Sequence, residues 1–371
     1  MQEISSQQLK KLPDELIDII KSYIFYEFLT NEGLKKAVHS WCSTCSYDRK
    51  LALSNYGHIS LWNTTKITDM SNLFEKKYGF NQNINDWDVS NVTNMENMFK
   101  DCDFFNQPLN KWNVSNVVNM ESMFQYCTNF NQPLNNWNVS NVESMFSMFY
   151  RCKKFNQPLN NWNVSKVINM NHTFWCCKEF NQDLNNWNTE NVIQMDSLFD
   201  GCEKFNQPLN NWNVSKVKTM HSMFSDCTHF HQSINSWDTS NVNNMERMFY
   251  KCENYNKPLN NWNTSKVKTM NLMFLECKNF NQRLDKWNVS NVENMHSMFY
   301  GCIKFNQQLN DWNTSKVKNM ETMFYNCSYF NRSLNKWNIK KVKNMKNMFY
   351  NCVRFQQSVD KWNWKMLKIE N

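Results

Sequence analysis

The sequence predicts an α/β solenoid of about twelve 25-residue units, each a short strand followed by a short helix, with a small α-helical module at the N-terminus. Three observations carry this reading. Trp falls at 62, 87, 112, 137, 162, 187, 212, 237, 262, 287, 312, 337 and 362, a 25-residue period with no insertion or deletion. A period of that size belongs to units that bury their apolar faces only by stacking on neighbours. Within each period the apolar residues first alternate as in a strand and then recur at helical spacing. Ahead of the first unit, residues 12–24 follow a helical pattern of their own. The expected organisation is therefore a helical module over 1–50, the repeat over 57–363 and a C-terminal cap over 364–371.

Composition narrows the function classes. The 371 residues carry a formal charge of +8, a mild excess far from that of a nucleic-acid-binding arm. No apolar run approaches the ~18 residues of a membrane span, and the polar start, Met1 to Lys11, lacks the apolar core of a signal peptide. A cytosolic location is expected, the chain's own or, for a protein of a large DNA virus, that of a host. Eleven of the fourteen Cys, from Cys102 to Cys352, occupy one repeat position; the others are Cys42, Cys45 and Cys176. Such a column reads as buried reduced thiols acting as small apolar fillers. No His column accompanies it, so neither a metal nor any other cofactor is expected. Cys42 and Cys45 form a lone C-x-x-C, with His39 as the nearest further ligand.

In the N-terminal module, Pro13 sits in the first turn of a helix over 12–24, and Asp14 and Glu15 favour its positive end. Leu16, Ile19, Ile20 and Tyr23 share one face. A second helix is expected over about 33–42, with Leu34, Val38 and Trp41 on a common side. One reading of this amphipathic module is a cap over the open end of the solenoid, which repeat proteins need for solubility. The residues Leu12-Pro13-Asp14-Glu15-Leu16, Ile19-Ile20, Tyr23-Ile24 and Val38-His39-Ser40-Trp41 also resemble an F-box. That resemblance implies docking on the Skp adaptor of a cullin ubiquitin ligase, with Leu12, Pro13, Leu16, Ile20, Val38 and Trp41 forming or supporting the adaptor surface.

The unit beginning at Leu109 illustrates the repeat. Leu109-x-x-Trp112-x-Val114 has the L-x-x-L-x-L spacing of a leucine-rich-repeat strand. Trp112 and Val114 point to one side and Asn113 to the other. Ser115-Asn116 turns the chain and Val117 re-enters the core. Asn119 and its equivalents Asn94, Ser144, Asn169, Thr219, Asn244, Thr269, Asn294, Asn319 and Asn344 read as helix N-caps. Glu96, Glu121, Asp196, Glu246 and Glu321 fall in the first turn, where the helix dipole favours them. Met120, Met123, Phe124 and Cys127 then read as the buried face of a two-turn helix. The column Asn106, Asn131, Asn156, Asn181 and Asn206 reads as an amide ladder satisfying turn backbone groups. The full unit, W-(N/D)-(V/T)-S-x-V-x-x-M-x-x-M-F-x-x-C-x-x-F-N-Q over roughly 57–363, resembles the BspA-like leucine-rich repeats. This implies a binding scaffold with no catalytic residues. Exported members of that family carry a signal peptide or lipid-attachment cysteine, neither of which is seen here.

The core positions are fixed, so partner choice must lie in exposed ones. Lys166, Lys216, Lys266 and Lys316 alternate with Asn141, Asn191, Asn241 and Asn291, and Lys218, Lys268, Lys318 and Lys343 lie two residues beyond. Stacked in register, Lys216/Lys218, Lys266/Lys268, Lys316/Lys318 and Lys341/Lys343 make a basic stripe, either a solvated face or a site for an acidic partner. Nucleic acid is disfavoured because the aromatic residues belong to the core and are not interleaved with the lysines. The column from Asn113 through Asn263 is expected on a concave surface. No catalytic constellation is visible: the seven His are scattered and no Gly-rich phosphate loop occurs. The preferred function is a non-enzymatic recognition subunit, with an F-box-like head that recruits a cullin-type ligase and a repeat body that holds an unknown protein target. The alternative is a scaffold or adhesin-like binding protein with no ligase link.

Overall fold

The computed structural model describes residues 26–360 and Trp362. The helix expected over 12–24 lies outside them. The described chain begins by pairing with the entry to the repeat: Phe28 N–H donates to the Asn63 carbonyl (3.0 Å) and Asn63 N–H to that of Tyr26 (2.9 Å). Helix α1 (Asn31–Trp41) starts at Thr30, whose extended backbone and side-chain oxygen, accepting Gly33 N–H at 3.0 Å, make it an N-cap. It falls close to the expected second helix and buries Leu34, Ala37 and Val38. Helix α2 (Ser46–Tyr56) was not anticipated. Only Ala52 is buried on it, so it leaves no amphipathic stripe to read. Gly57, at φ 71°, ends α2, and a 3-10 turn at Ile59–Leu61 leads to Trp62.

The repeat is a solenoid, but its units are not a strand plus a helix, and the α/β expectation is wrong. Among the described residues the coils contain no helix after Leu61 and no strand longer than an isolated bridge. Parallel bridges run from Asp69 to Asn94 and onward at each 25-residue step to Asn344. Each coil is a run of tight turns. Met98 N–H donates to the Met95 carbonyl (3.2 Å), Lys100 to Asn97 (3.1 Å) and Cys102 to Phe99 (2.9 Å). The intervening N–H groups leave the coil: Met95, Asn97, Phe99 and Asp101 donate to the carbonyls of Asn119, Glu121, Met123 and Gln125 in the next one, at 2.8–2.9 Å. Asn97 (φ 54°) and Asp101 (φ 62°) supply the positive φ that a type II turn requires at its third residue. An α-helix would close every N–H on the carbonyl four residues back.

The misreading has a physical cause. Turns repeating every four residues send side chains inward at i, i+3, i+4 and i+7, the same spacing as a helix face. Met120, Met123, Phe124 and Cys127 are indeed all buried. The expected N-caps are the bridge residues. Asn119 Oδ1 does accept the N–H of Glu121 (2.9 Å), as a cap would, but the bond closes an Asx turn. The expected strand is likewise a turn, Trp112 N–H donating to the Leu109 carbonyl at 3.2 Å.

Three columns hold the coils together. From Trp87 to Trp337 each indole N–H of the column reaches the carbonyl 28 residues earlier, as from Trp112 to Ile84 (3.1 Å) and from Trp212 to Leu184 (2.8 Å). The rings lie nearly parallel; Trp187 and Trp212 have centroids 6.3 Å apart and planes within 2°. Phe99 stacks on Phe105 in its own coil at 4.1 Å and on Phe124 of the next at 5.6 Å. The cysteine column is buried and reduced, as expected. Each thiol also donates to a Phe carbonyl of the preceding coil, as from Cys127 to Phe99 at 3.0 Å. Burial pushes these thiols far above their ordinary range, and even Cys352, in the last described coil, is pushed up to about 12. Since the thiolate is the reactive species, a thiol reagent should modify exposed Cys45 in native protein and leave Cys127 and Cys152 untouched until unfolding. Rapid native labelling of that pair, read by peptide mass, would contradict the buried column.

The N-terminal end of the stack is covered. Asn31 Oδ1 accepts the N–H groups of Thr68 (3.1 Å) and Asp69 (3.3 Å), and Trp41 meets Trp62 edge to face at 5.9 Å.

Candidate functional site

The Lys/Asn alternation has a structural cause. The Asn191, Asn241 and Asn291 amides donate to the Ser165, Ser215 and Ser265 carbonyls of the preceding coil at 2.7–2.8 Å. Each amide then turns its oxygen to the ammonium of the following coil: Lys216 to Asn191 (2.7 Å), Lys266 to Asn241 (2.6 Å) and Lys316 to Asn291 (2.6 Å). These lysines are pinned by one neutral acceptor and remain exposed. Two residues on, Lys318 pairs with Glu293, whose carboxyl is held below its ordinary range by that ammonium. Lys218 and Lys268 are exposed and make no ion pair among the described residues. The structure thus brings Lys216, Lys218, Lys266, Lys268, Lys316 and Lys318 onto one rim.

The same rim has an apolar part that sequence reasoning missed. One repeat position runs Val118, Glu143, Ile168, Ile193, Lys218, Asn243, Lys268, Glu293 and Lys318, mostly apolar in its first members and Lys alternating with Asn or Glu in its later ones. Val118 and Ile168 are 41% and 45% exposed. Ile168, Ile193, Glu143, Lys166 and Lys216 line a shallow groove of about 380 Å³. Following this one column by its 25-residue step would have revealed it.

The Asn columns are occupied with the fold. Asn113, Asn138, Asn163, Asn188, Asn213, Asp238 and Asn263 are exposed, but each side-chain oxygen accepts the N–H two residues on at 3.0–3.2 Å. Their uniformity is that of a turn motif. Asn106, Asn131 and Asn156 do form the anticipated ladder, each Oδ1 accepting the N–H of the corresponding residue in the next coil at 2.9 Å.

At the head, Val38 is fully buried and Trp41 is half-buried against the first coil. Leu12, Pro13, Leu16 and Ile20 lie outside the described residues. Trp41, Arg49, Lys76, Lys77, Tyr78 and Phe80 line a cleft of about 1070 Å³ between the helices and the first coil. Cys42 is pushed up to about 11 by burial, which nearby Lys77 partly offsets. Among the described residues no cluster of three His, Cys, Asp or Glu is placed to hold a metal ion, and no helix is long and apolar enough to cross a membrane.

One half-buried acid, Asp200, should give the body a pH dependence. Burial first, then the neighbouring Asp226 carboxylate, raises Asp200 to about 7, against a partial offset from the Ser225 hydroxyl. Unfolded Asp titrates near ~4. In the window from about 4 to about 7 the folded chain holds a proton that the unfolded chain has released, so stability falls as pH rises through it. Asp200→Asn should melt higher than wild type at pH 8 and show a flatter Tm between pH 4 and 7. Parallel Tm curves for the two proteins would contradict the assignment.

Comparison with known proteins places the repeat body. The model of a family described as "Mycoplasma protein of unknown function, DUF285" matches residues 45–162, 146–261 and 243–362. These matches fall on the repeat, the part that carries the resemblance to BspA-like repeats, and they leave residues 12–41 outside. No curated protein matches the chain.

Proposed function

Because the chain belongs to the DUF285 family, we propose that it is a non-enzymatic, protein-binding repeat scaffold. The observation that carries this is the division of labour between columns. Trp, Phe and Cys positions are nearly constant and buried, whereas the rim from Val118 to Lys318 is solvent-accessible and varies, with Val118, Ile168 and Ile193 early in the stack and Lys218, Lys268 and Lys318, interrupted by Asn243 and Glu293, later. A rigid body with a graded rim supports recognition of a protein whose surface is apolar at one end and acidic at the other. The test is capture of partners from cell extract by wild type and by a variant with Lys216, Lys218, Lys266 and Lys268 changed to Glu. Exposed charges contribute little to stability, so the variant should melt as wild type does. It should lose the partner, and wild-type binding should weaken with salt. Equal capture by both proteins at low and high salt would count against the rim.

The finer reading is a cytosolic substrate-recognition subunit that joins an Skp adaptor and cullin through residues 12–41. It is supported by the sequence resemblance at Leu12-Pro13-Asp14-Glu15-Leu16, Ile19-Ile20, Tyr23-Ile24 and Val38-His39-Ser40-Trp41 alone. Val38 and Trp41 pack against the repeat, so the adaptor surface in this reading comes from Leu12, Pro13, Leu16 and Ile20. Leu12→Ala with Pro13→Ala should abolish adaptor copurification and leave the melting curve unchanged. If wild type brings down no adaptor, the scaffold acts without a ligase.

A further inference from the structure

The lysines in the middle of the rim are held at a fixed step. Lys166, Lys216, Lys266 and Lys316 each donate to an Asn side-chain oxygen of the preceding coil, at 2.8, 2.7, 2.6 and 2.6 Å. Those amides, Asn141, Asn191, Asn241 and Asn291, are themselves tied to the Ser115, Ser165, Ser215 and Ser265 carbonyls at 2.7–2.8 Å. The four ammonium groups thus repeat one arrangement at every second coil. An ammonium has three N–H donors, so each keeps two for a ligand, and all four lysines are exposed. Pinning also lowers the side-chain ordering that binding would cost.

The step selects a conformation for what lies along it. Parallel bridges join successive coils, which sets neighbours about 4.8 Å and alternate coils about 9.6 Å apart. A polyproline II chain turns once in three residues, about 9.3 Å. An extended strand presents one face every ~6.7 Å, and an α-helix returns to a face after seven residues, about 10.5 Å. Across the four lysines the helical misfit grows to nearly ~3 Å, whereas that of polyproline II stays within about 1 Å. The floor beside the lysines is apolar where the groove lies, at Ile168 and Ile193, with Glu143 as the one acid of its lining. Neither rim column, the one through Lys166 or the one through Ile168, holds an aromatic residue on which a base could stack.

We infer that the rim docks a proline-rich peptide in the polyproline II conformation, laid along the stack, with an acidic residue at every third position. Successive carboxylates meet Lys166, Lys216, Lys266 and Lys316, and the proline rings between them cover Ile168 and Ile193. Lys218 and Lys268, which make no ion pair among the described residues, add positive charge beside the second half of the track. Proline fixes the peptide in its bound shape beforehand, so little chain entropy is lost on docking. The inference rests on the scaffold reading and names the chemistry of the partner segment that the rim takes.

The test uses the full chain and a fluorescent peptide of Glu-Pro-Pro triplets long enough to reach from Lys166 to Lys316, followed by polarisation. Wild type should bind it, more weakly as salt rises. Lys216→Glu with Lys266→Glu should weaken binding about tenfold or more, and Ile168→Asn with Ile193→Asn about fivefold. Lys154→Glu with Lys304→Glu changes the charge equally on exposed lysines twelve residues away in the repeat and should bind as wild type does. Two further peptides of equal charge should bind about tenfold more weakly: one with Glu at every fourth position, which breaks the register, and one of Glu-Gly-Gly triplets, which lacks the preset shape. Failure of wild type to bind the Glu-Pro-Pro peptide at about 1 mM, equal binding of the fourth-position peptide or of oligo-dT of equal charge, or unchanged affinity in the Lys216 and Lys266 variant would overturn the proposal. Loss of cellular partners in the variant at Lys216, Lys218, Lys266 and Lys268, without binding of the triplet peptide by wild type, would leave the scaffold reading standing while this assignment falls.

Discussion

Replacing Trp212 by Ala should destabilise the protein by about 3–5 kcal/mol, the range for large-to-small core changes involving aromatic residues. Trp212 is 4% exposed, stacks on Trp187 and donates its indole N–H to the Leu184 carbonyl at 2.8 Å. Truncation therefore opens a cavity and removes the indole bond between coils, leaving the Leu184 carbonyl with only the Trp187 N–H of its own turn at 3.0 Å, and both effects act in the same direction. Because each coil contacts only its neighbours, the damage should be local. Urea unfolding should lose cooperativity, the coils around Trp187 and Trp237 opening before those near Trp87 or Trp337. A variant that melts within ~0.5 kcal/mol of wild type would show that the Trp column is not what joins the coils.

Ser222→Ile should cost about 3 kcal/mol or more, and Ser222→Gly should be neutral or stabilising. Ser222 has φ 53° and is 2% exposed. A β-branched residue is a genuine outlier at that φ. Backbone strain of about 1–3 kcal/mol would add to overpacking of about 1–3 kcal/mol. Glycine removes the penalty of about 1–2 kcal/mol that an L-residue carries in the left-handed region. A helix interior predicts the opposite sign for glycine, so this pair of chemical melts separates a turn-built coil from the helix that the apolar spacing implies.

That spacing explains how far the fold could be read from the sequence. The Trp and Cys columns announce a stack of equal units, because only register-locked neighbours could keep one residue type at one position. The local backbone was not legible from apolar residues, since four-residue turns and a helix send the same positions inward. The informative signal lay in two polar positions four residues apart. Asn72, Asn97 and Asn347 in one, and Gly201, Gly301, Asn326 and Asn351 in the other, favour positive φ, but residues such as Arg247, Leu272, Thr322 and Lys76 at the same positions do not and dilute the signal. Asn119 was misread for a related reason: an Asx turn and an N-cap use the same side-chain bond. On the surface, the stripe at Lys216, Lys266 and Lys316 was legible as a column. Its alternation with Asn was not, because the amide that links two coils to the ammonium is visible only once the coils are stacked.

The direction of the backbone bonds defines this fold, and residue-resolved amide exchange together with NMR couplings across the hydrogen bonds of the native chain reads it directly. Among inner coils, the N–H groups of Met220, Ser222, Phe224 and Asp226 point into the next coil at 2.7–3.0 Å and should exchange slowly. NMR couplings across the hydrogen bonds should pair them with the carbonyls of Asn244, Glu246, Met248 and Tyr250, and pair the N–H groups of Met223, Ser225 and Cys227 with the carbonyls of Met220, Ser222 and Phe224. Couplings from Phe224 and Asp226 to the carbonyls four residues back, as an α-helix makes, would contradict a turn-built stack.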